Sequence, residues 1–174
     1  QGVMNYIAIL LALARDHGMS FKELADWLQS HYEERGYYKE WEIKNTKGNM
    51  SRLVSDFIFG RQLLYDTFEV ELSDNDNYIV KNKMWYENDL PEAFFYFDVG
   101  LKDFMEYAKY LASANAARLG VKLAIEYADG YEIATFEPEA PVIYRQKQAA
   151  DEGALREFFL QYWSAPIMVS GGKV

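Results

Sequence analysis

Apolar positions recur along this chain with two periods, and where the period changes from three-or-four to two the predicted element changes from helix to strand. Ile7, Leu10, Leu11 and Ala14 share one face of a helix running from Tyr6 to about His17, with Gly18 as its stop. Ser20 and Glu23 then form a capping box, and Met19 can staple onto Leu24, so a second helix is expected with Leu24, Trp27, Leu28 and His31 inward. Residues 36–48 read as an irregular segment. Met50, Leu53, Val54, Phe57, Ile58 and Leu64 restore helical spacing between Asn49 and Tyr65.

Period two begins at Phe68. Phe68, Val70 and Leu72 alternate with Glu69 and Glu71, and Ser73 to Asn77 turn the chain into a second strand, Tyr78 to Trp85. That loop length sets Leu72 opposite Tyr78, Val70 opposite Val80 and Glu69 opposite Lys81. One face of the hairpin is then wholly apolar.

The stretch from Asp89 to Phe136 organises the rest. Asp89 and Glu92 resemble a capping box around Pro91, and Phe97, Leu101, Phe104, Ala108 and Leu111 form a continuous helical stripe, the expected core seam. Gly100 marks either a bend in one long helix or a break between two shorter ones. Gly120 caps the run. Val121, Leu123, Ile125 and Tyr127 then alternate with Lys122, Ala124 and Glu126, and Asp129-Gly130 is a two-residue hairpin signal leading into Tyr131–Phe136. The two-residue turn places Leu123 opposite Phe136 and Lys122 opposite Glu137; one extra loop residue would lose both pairings. Beyond Pro138 and Pro141, Val142 to Tyr144 suit an edge strand and Asp151 to Trp163 an amphipathic helix.

The fold class that follows is α+β: a helical N-terminal half, two β-hairpins in one antiparallel sheet flanking a long central helix, and a C-terminal helix. An isolated hairpin is marginal in water, which is why both are expected in one sheet. Residues 3–163 read as a single domain and 164–174 as a tail that orders only if something packs on it. Gln1-Gly2 are set aside as a cloning remnant or the start of a fragment.

Composition narrows the chemistry. A net charge of −9 disfavours nucleic acid and anionic membranes as partners. The absence of cysteine removes disulfides, thiolate nucleophiles and cysteine metal sites, and two histidines leave little for a zinc site or a Ser-His-Asp triad. The Asp74-Asn75-Asp76-Asn77 turn lacks the glycine and downstream glutamate of a calcium loop and reads as solvated. No phosphate-cradling glycine loop is present, so no metal or cofactor is expected, and Gly60 with Arg61 carries no motif. Without a secretory signal or a long apolar run, a cytoplasmic location is the expectation. The unusual quantity is 17% aromatic residues, enough for a thick core with a homodimer interface or for an aromatic-lined ligand cavity.

Two resemblances carry the functional expectations. The order Tyr6–His17, Ser20–Tyr32, Asn49–Tyr65, Phe68–Trp85 resembles a winged helix, although an acidic wing tip at Asp74-Asn75-Asp76 would meet phosphates with the wrong sign, so the shape would serve protein contact. The helical pair Ala8–Tyr32 and the segment Gly120–Phe136 resemble the L-2-amino-thiazoline-4-carboxylic acid hydrolase-like proteins and, more distantly, small-molecule-binding domains of the vinyl-reductase type. Gly130 to Phe136 fits their Gly-x-x-x-Cys-x-Phe pattern with Ala134 in place of the cysteine. The resemblance implies a scaffold without its thiol: a non-catalytic small-molecule-binding or sensor-like domain, with a pocket lined by Trp85, Phe97, Phe104, Tyr127 and Phe136. The competing expectations are the winged-helix-like regulatory or interaction module and a hydrolase-like enzyme using Asp98 or Glu126 as general base.

Overall fold

The structure is a computed structural model that describes residues 2–39, 50–62, 64–73, 77–84, 86 and 90–139, together with the backbone of 167–170. The predicted C-terminal helix, the Val142–Tyr144 strand, Trp85 and the Asp74–Asp76 turn lie outside the described residues. The class is α+β. Helices α1 (Gly2–Asp16), α2 (Phe21–Glu34) and α3 (Met50–Arg61) precede strands β1 (Phe68–Leu72) and β2 (Tyr78–Lys83); α4 (Glu92–Tyr96) and α5 (Leu101–Arg118) lead into β3 (Val121–Ala128), β4 (Tyr131–Pro138) and β5 (Ile167–Ser170).

The sheet runs β3-β4-β2-β1-β5, with β5 parallel to β1 and the other neighbours antiparallel. Both hairpin registers are those the alternation dictates: Leu72 faces Tyr78, Glu69 faces Lys81, and Leu123 faces Phe136. Lys122 and Glu137 meet at 3.5 Å. At the second turn Asp129 (φ 53) and Gly130 (φ 79) are both left-handed, the geometry of a type I′ hairpin. Four residues of the expected tail, Ile167–Ser170, lie along β1. The β1–β2 hairpin is therefore flanked on both sides and is the middle of a sheet, not a projecting wing.

Helix α2 carries the predicted box: Ser20 Oγ accepts from Glu23 N–H at 3.2 Å, and Glu23 accepts from Ser20 N–H at 2.8 Å. Trp27, expected inward on this helix, is 46% exposed. The central helix departs further from expectation. Pro91 caps α4 with no side-chain hydrogen bond; Asp89, the other half of the expected box, lies outside the described residues. After Tyr96 the chain closes a Schellman motif: Val99 N–H donates to the Phe94 carbonyl at 2.9 Å and Asp98 N–H to Phe95 at 3.2 Å, with Asp98 left-handed at φ 51. Val99 and Phe94, the pair such a motif brings together, are both buried. Arg15 reaches from α1 to the carbonyls of Phe97 and Asp98 and satisfies the helix end. Gly100 then starts α5 afresh, its N–H donating to Asp103 at 2.8 Å. Across this break the expected stripe cannot stay in phase: α5 buries Phe104, Tyr107, Ala112 and Ala116, while Leu101, Ala108 and Leu111 are only partly covered.

Candidate functional site

Alternation along the strands assembles three rows of inward side chains under the helices. One is Leu72, Tyr78, Phe136 and Leu123; the next is Val70, Val80, Ala134 and Ile125; the third is Phe68, Asn82, Glu132 and Tyr127. The third row puts a carboxylate in the core. Glu132 is fully buried, and such a charge requires partners. Its Oε1 accepts from Arg61 Nε at 2.6 Å and Asn82 Nδ2 at 2.8 Å; its Oε2 accepts from Tyr65 at 2.8 Å and lies 3.1 Å from the Tyr127 hydroxyl. Tyr127 shares that proton with the Met105 carbonyl at 3.2 Å, and Tyr86 donates to Tyr65 at 2.9 Å.

Burial alone would push the Glu132 carboxyl up, but the Arg61 charge and the hydrogen bonds from Arg61, Tyr65 and Asn82 outweigh it and hold the group below its ordinary value. Burial, then the Glu132 charge, pushes Tyr65 and Tyr127 well above the usual tyrosine range. The carboxylate is thus ionised and its lone pairs are occupied. It can fix a neighbour in place; it has no free lone pair with which to take a proton from a substrate.

The neighbour it fixes is Arg61. The guanidinium lies 3.6 Å above the Phe57 ring, one helical turn earlier on α3, and its side chain is 12% exposed. Nε donates to Glu132, no Nη hydrogen bond to a described residue accompanies it, and Arg61 lines a groove of about 480 Å³ between α3 and α5. Leu123 and Phe136 floor the groove; Phe57, Gly60, Ala112 and Ala116 wall it, with Tyr37 and the Arg52–Asp56 ion pair among its lining residues. Asn115 lines it too. The Asn115 Oδ1 takes hydrogen bonds from Gln29 and Tyr38, both at 3.0 Å, which leaves its amide NH2 unclaimed among the described residues.

Of the described residues expected to line a pocket, Phe136 alone is on this groove. Phe104 is packed edge-on against Tyr86 and Phe94, with ring centres at 5.5 and 6.2 Å, and is 1% exposed. Tyr127 is spent on the Glu132 cluster. Phe97, at the helix break, is 41% exposed because the Schellman turn swings it off the buried face. Asp98 and Glu126 are both exposed, which removes the burial a general base would need. Arg61 had no motif to mark it. Glu132 was legible in the register, as a charge alternating with Ala134 and Phe136 on an otherwise apolar face.

Among the described residues there is no group of acidic and histidine side chains that could hold a metal ion, and no helix is long and apolar enough to cross a membrane. No family model matches the chain, and no solved structure does. Over 125 residues, 72% of this chain and 78% of its relative, the sequence is 42% identical to the uncharacterized protein YxnB of Bacillus subtilis (strain 168).

Proposed function

The chain belongs to one family with the uncharacterized Bacillus subtilis protein YxnB, and from that premise we propose that it is a small-molecule-binding, sensor-like domain whose ligand occupies the α3/α5 groove. The observation that supports this reading is Arg61, whose Nε is held by a saturated buried carboxylate and whose side chain lines about 480 Å³ of space, a volume in the range of ordinary ligand sites. An arginine so fixed loses little further freedom on binding, and its Nη pair matches a carboxylate or phosphate bidentately. The exposed rings of Tyr37 and Phe59, which also line the groove, suit a flat hydrocarbon or aromatic body. The ligand class is therefore a small apolar anion.

Gly60 supplies the test. It borders the groove, and a Cβ built on it meets nothing within 4 Å, so Gly60→Trp sets an indole at the groove without a clash at Cβ. Native mass spectrometry of the purified protein is expected to show a non-covalent adduct of a few hundred daltons, roughly the size of an ordinary pocket ligand. The Gly60→Trp protein should lose it while keeping its fold. A clean apo mass, together with no chemical-shift change on α3 or α5 when phenyl phosphate and benzoate are titrated, would end the proposal.

A further inference from the structure

Helix α1 is apolar on two faces. Met4, Ala8, Leu11 and Ala12 are buried in the core, yet Val3, Tyr6, Ile9 and Leu13, at helical spacing on the outside, are 43%, 77%, 41% and 55% exposed. A helix apolar all round is normally covered all round. Helix α4 adjoins α1, tied to it through Arg15, and presents Phe95 and Tyr96 at 84% and 75% exposure. Beside the α1 stripe runs an almost wholly apolar groove of about 340 Å³, lined by Leu10, Leu13, Met19, Leu24 and Trp27 among others.

We propose that this surface is the docking site for a second copy of the chain, paired antiparallel through α1 about a two-fold axis. Three observations favour a second copy over a foreign partner. Residues 2–14 carry no charged side chain, whereas the chain as a whole has a net charge of −9, so α1 is where two acidic copies can meet without opposing like charges. The exposed rings and aliphatic side chains of α1, α4 and Trp27 leave on the order of 800 Å² of apolar surface, about what each partner contributes to a standard interface. The stripe is also self-complementary. An antiparallel pairing centred near Ala8 sets Val3 of one copy on Leu13 of the other and delivers the protruding Tyr6 ring to the groove beside Leu10, as an isologous contact requires.

The test is the mass of the intact chain in solution. Sedimentation velocity from roughly 1 to 100 µM, which brackets the affinity of an ordinary interface of this area, should give a species of twice 20.3 kDa. Ile9→Glu with Leu13→Glu should weaken self-association at least about tenfold, with the circular dichroism spectrum of the folded monomer retained. Because the chain has no cysteine, Ile9→Cys close to the axis should cross-link into a disulfide dimer under mild oxidation, whereas Lys122→Cys on the far strand should not. A monomer across the whole range would overturn the proposal, as it would if another partner or a further segment of polypeptide covers α1. A dimer that both glutamates leave intact, or that cross-links through position 122, would overturn it equally.

Discussion

At the scale of single residues, the costliest group to bury among the described residues is the Glu132 carboxylate. Replacing Glu132 by Gln keeps the shape but leaves the Arg61 charge buried without its counterion, and the expected loss is about 3–5 kcal/mol in urea denaturation. The double change Glu132→Gln with Arg61→Met removes both charges and should recover most of that loss. An unchanged stability in the single variant would show that Arg61 escapes to solvent. The cluster also sets the pH range of the fold. The Glu132 carboxyl is held below its ordinary value of 4.5, so the stability it lends is complete above that pH and drains as the pH falls through the lower folded value. The tyrosines act at the other end. The hydroxyls of Tyr65 and Tyr127 are raised above 10.0, so their contribution is complete below pH 10.0 and is lost as the pH climbs beyond it. Titration followed by phenolate absorbance should separate them from the rest: burial pushes Tyr38 and Tyr107 up to about 12, and Tyr65 and Tyr127 should ionise only with unfolding. A single unresolved step at the ordinary tyrosine value would contradict the burial.

At the scale of elements, what was legible in the sequence was what local geometry decides. Asp129-Gly130 admits a two-residue turn, and period-two alternation permits one register, so local geometry alone pairs Leu123 with Phe136. The Ser20–Glu23 box is equally local. The break in the central helix was legible only as one of two options at Gly100, because Phe97 and Leu101 keep a four-residue spacing across it and the left-handed position that ends α4 is occupied by Asp98, with the glycine two residues later. That substitution makes a prediction. Asp98→Gly should relieve the left-handed conformation and stabilise the protein by about 0.5–1 kcal/mol in the urea midpoint. A loss instead would mean that the Asp98 side chain itself supports the turn. The Arg61–Glu132 pair was illegible for a different reason: its members are 71 residues apart, and only the packing of α3 on the sheet brings them together.

At the scale of the whole molecule, the joining of the hairpins through β2 and β4 creates the single sheet on which α3 and α5 rest, and the space between those helices is the groove. Aromatic content alone had left core, cavity and interface unseparated. The structure divides it: Tyr86, Phe94, Phe104 and Phe136 fill the interior, while Tyr6, Phe95 and Tyr96 stand in solvent. If the dimer forms as proposed, the ligand groove and the α1 surface are built on different helices, and the Gly60→Trp and Ile9→Glu/Leu13→Glu variants should each disturb one property and leave the other.

The parallel pairing of β5 with β1 also has a consequence for biosynthesis. Phe68 meets Ile167, so a ribosome must add about a hundred residues after making β1 before its partner exists, roughly 5–20 s at ordinary rates of translation. Through that interval the outer edge of β1 has unpaired amides and carbonyls open to other nascent chains. The period in which this protein is most exposed to aggregation is thus set by the clock of its own synthesis, and a chaperone that recognises an unfinished sheet edge would act then.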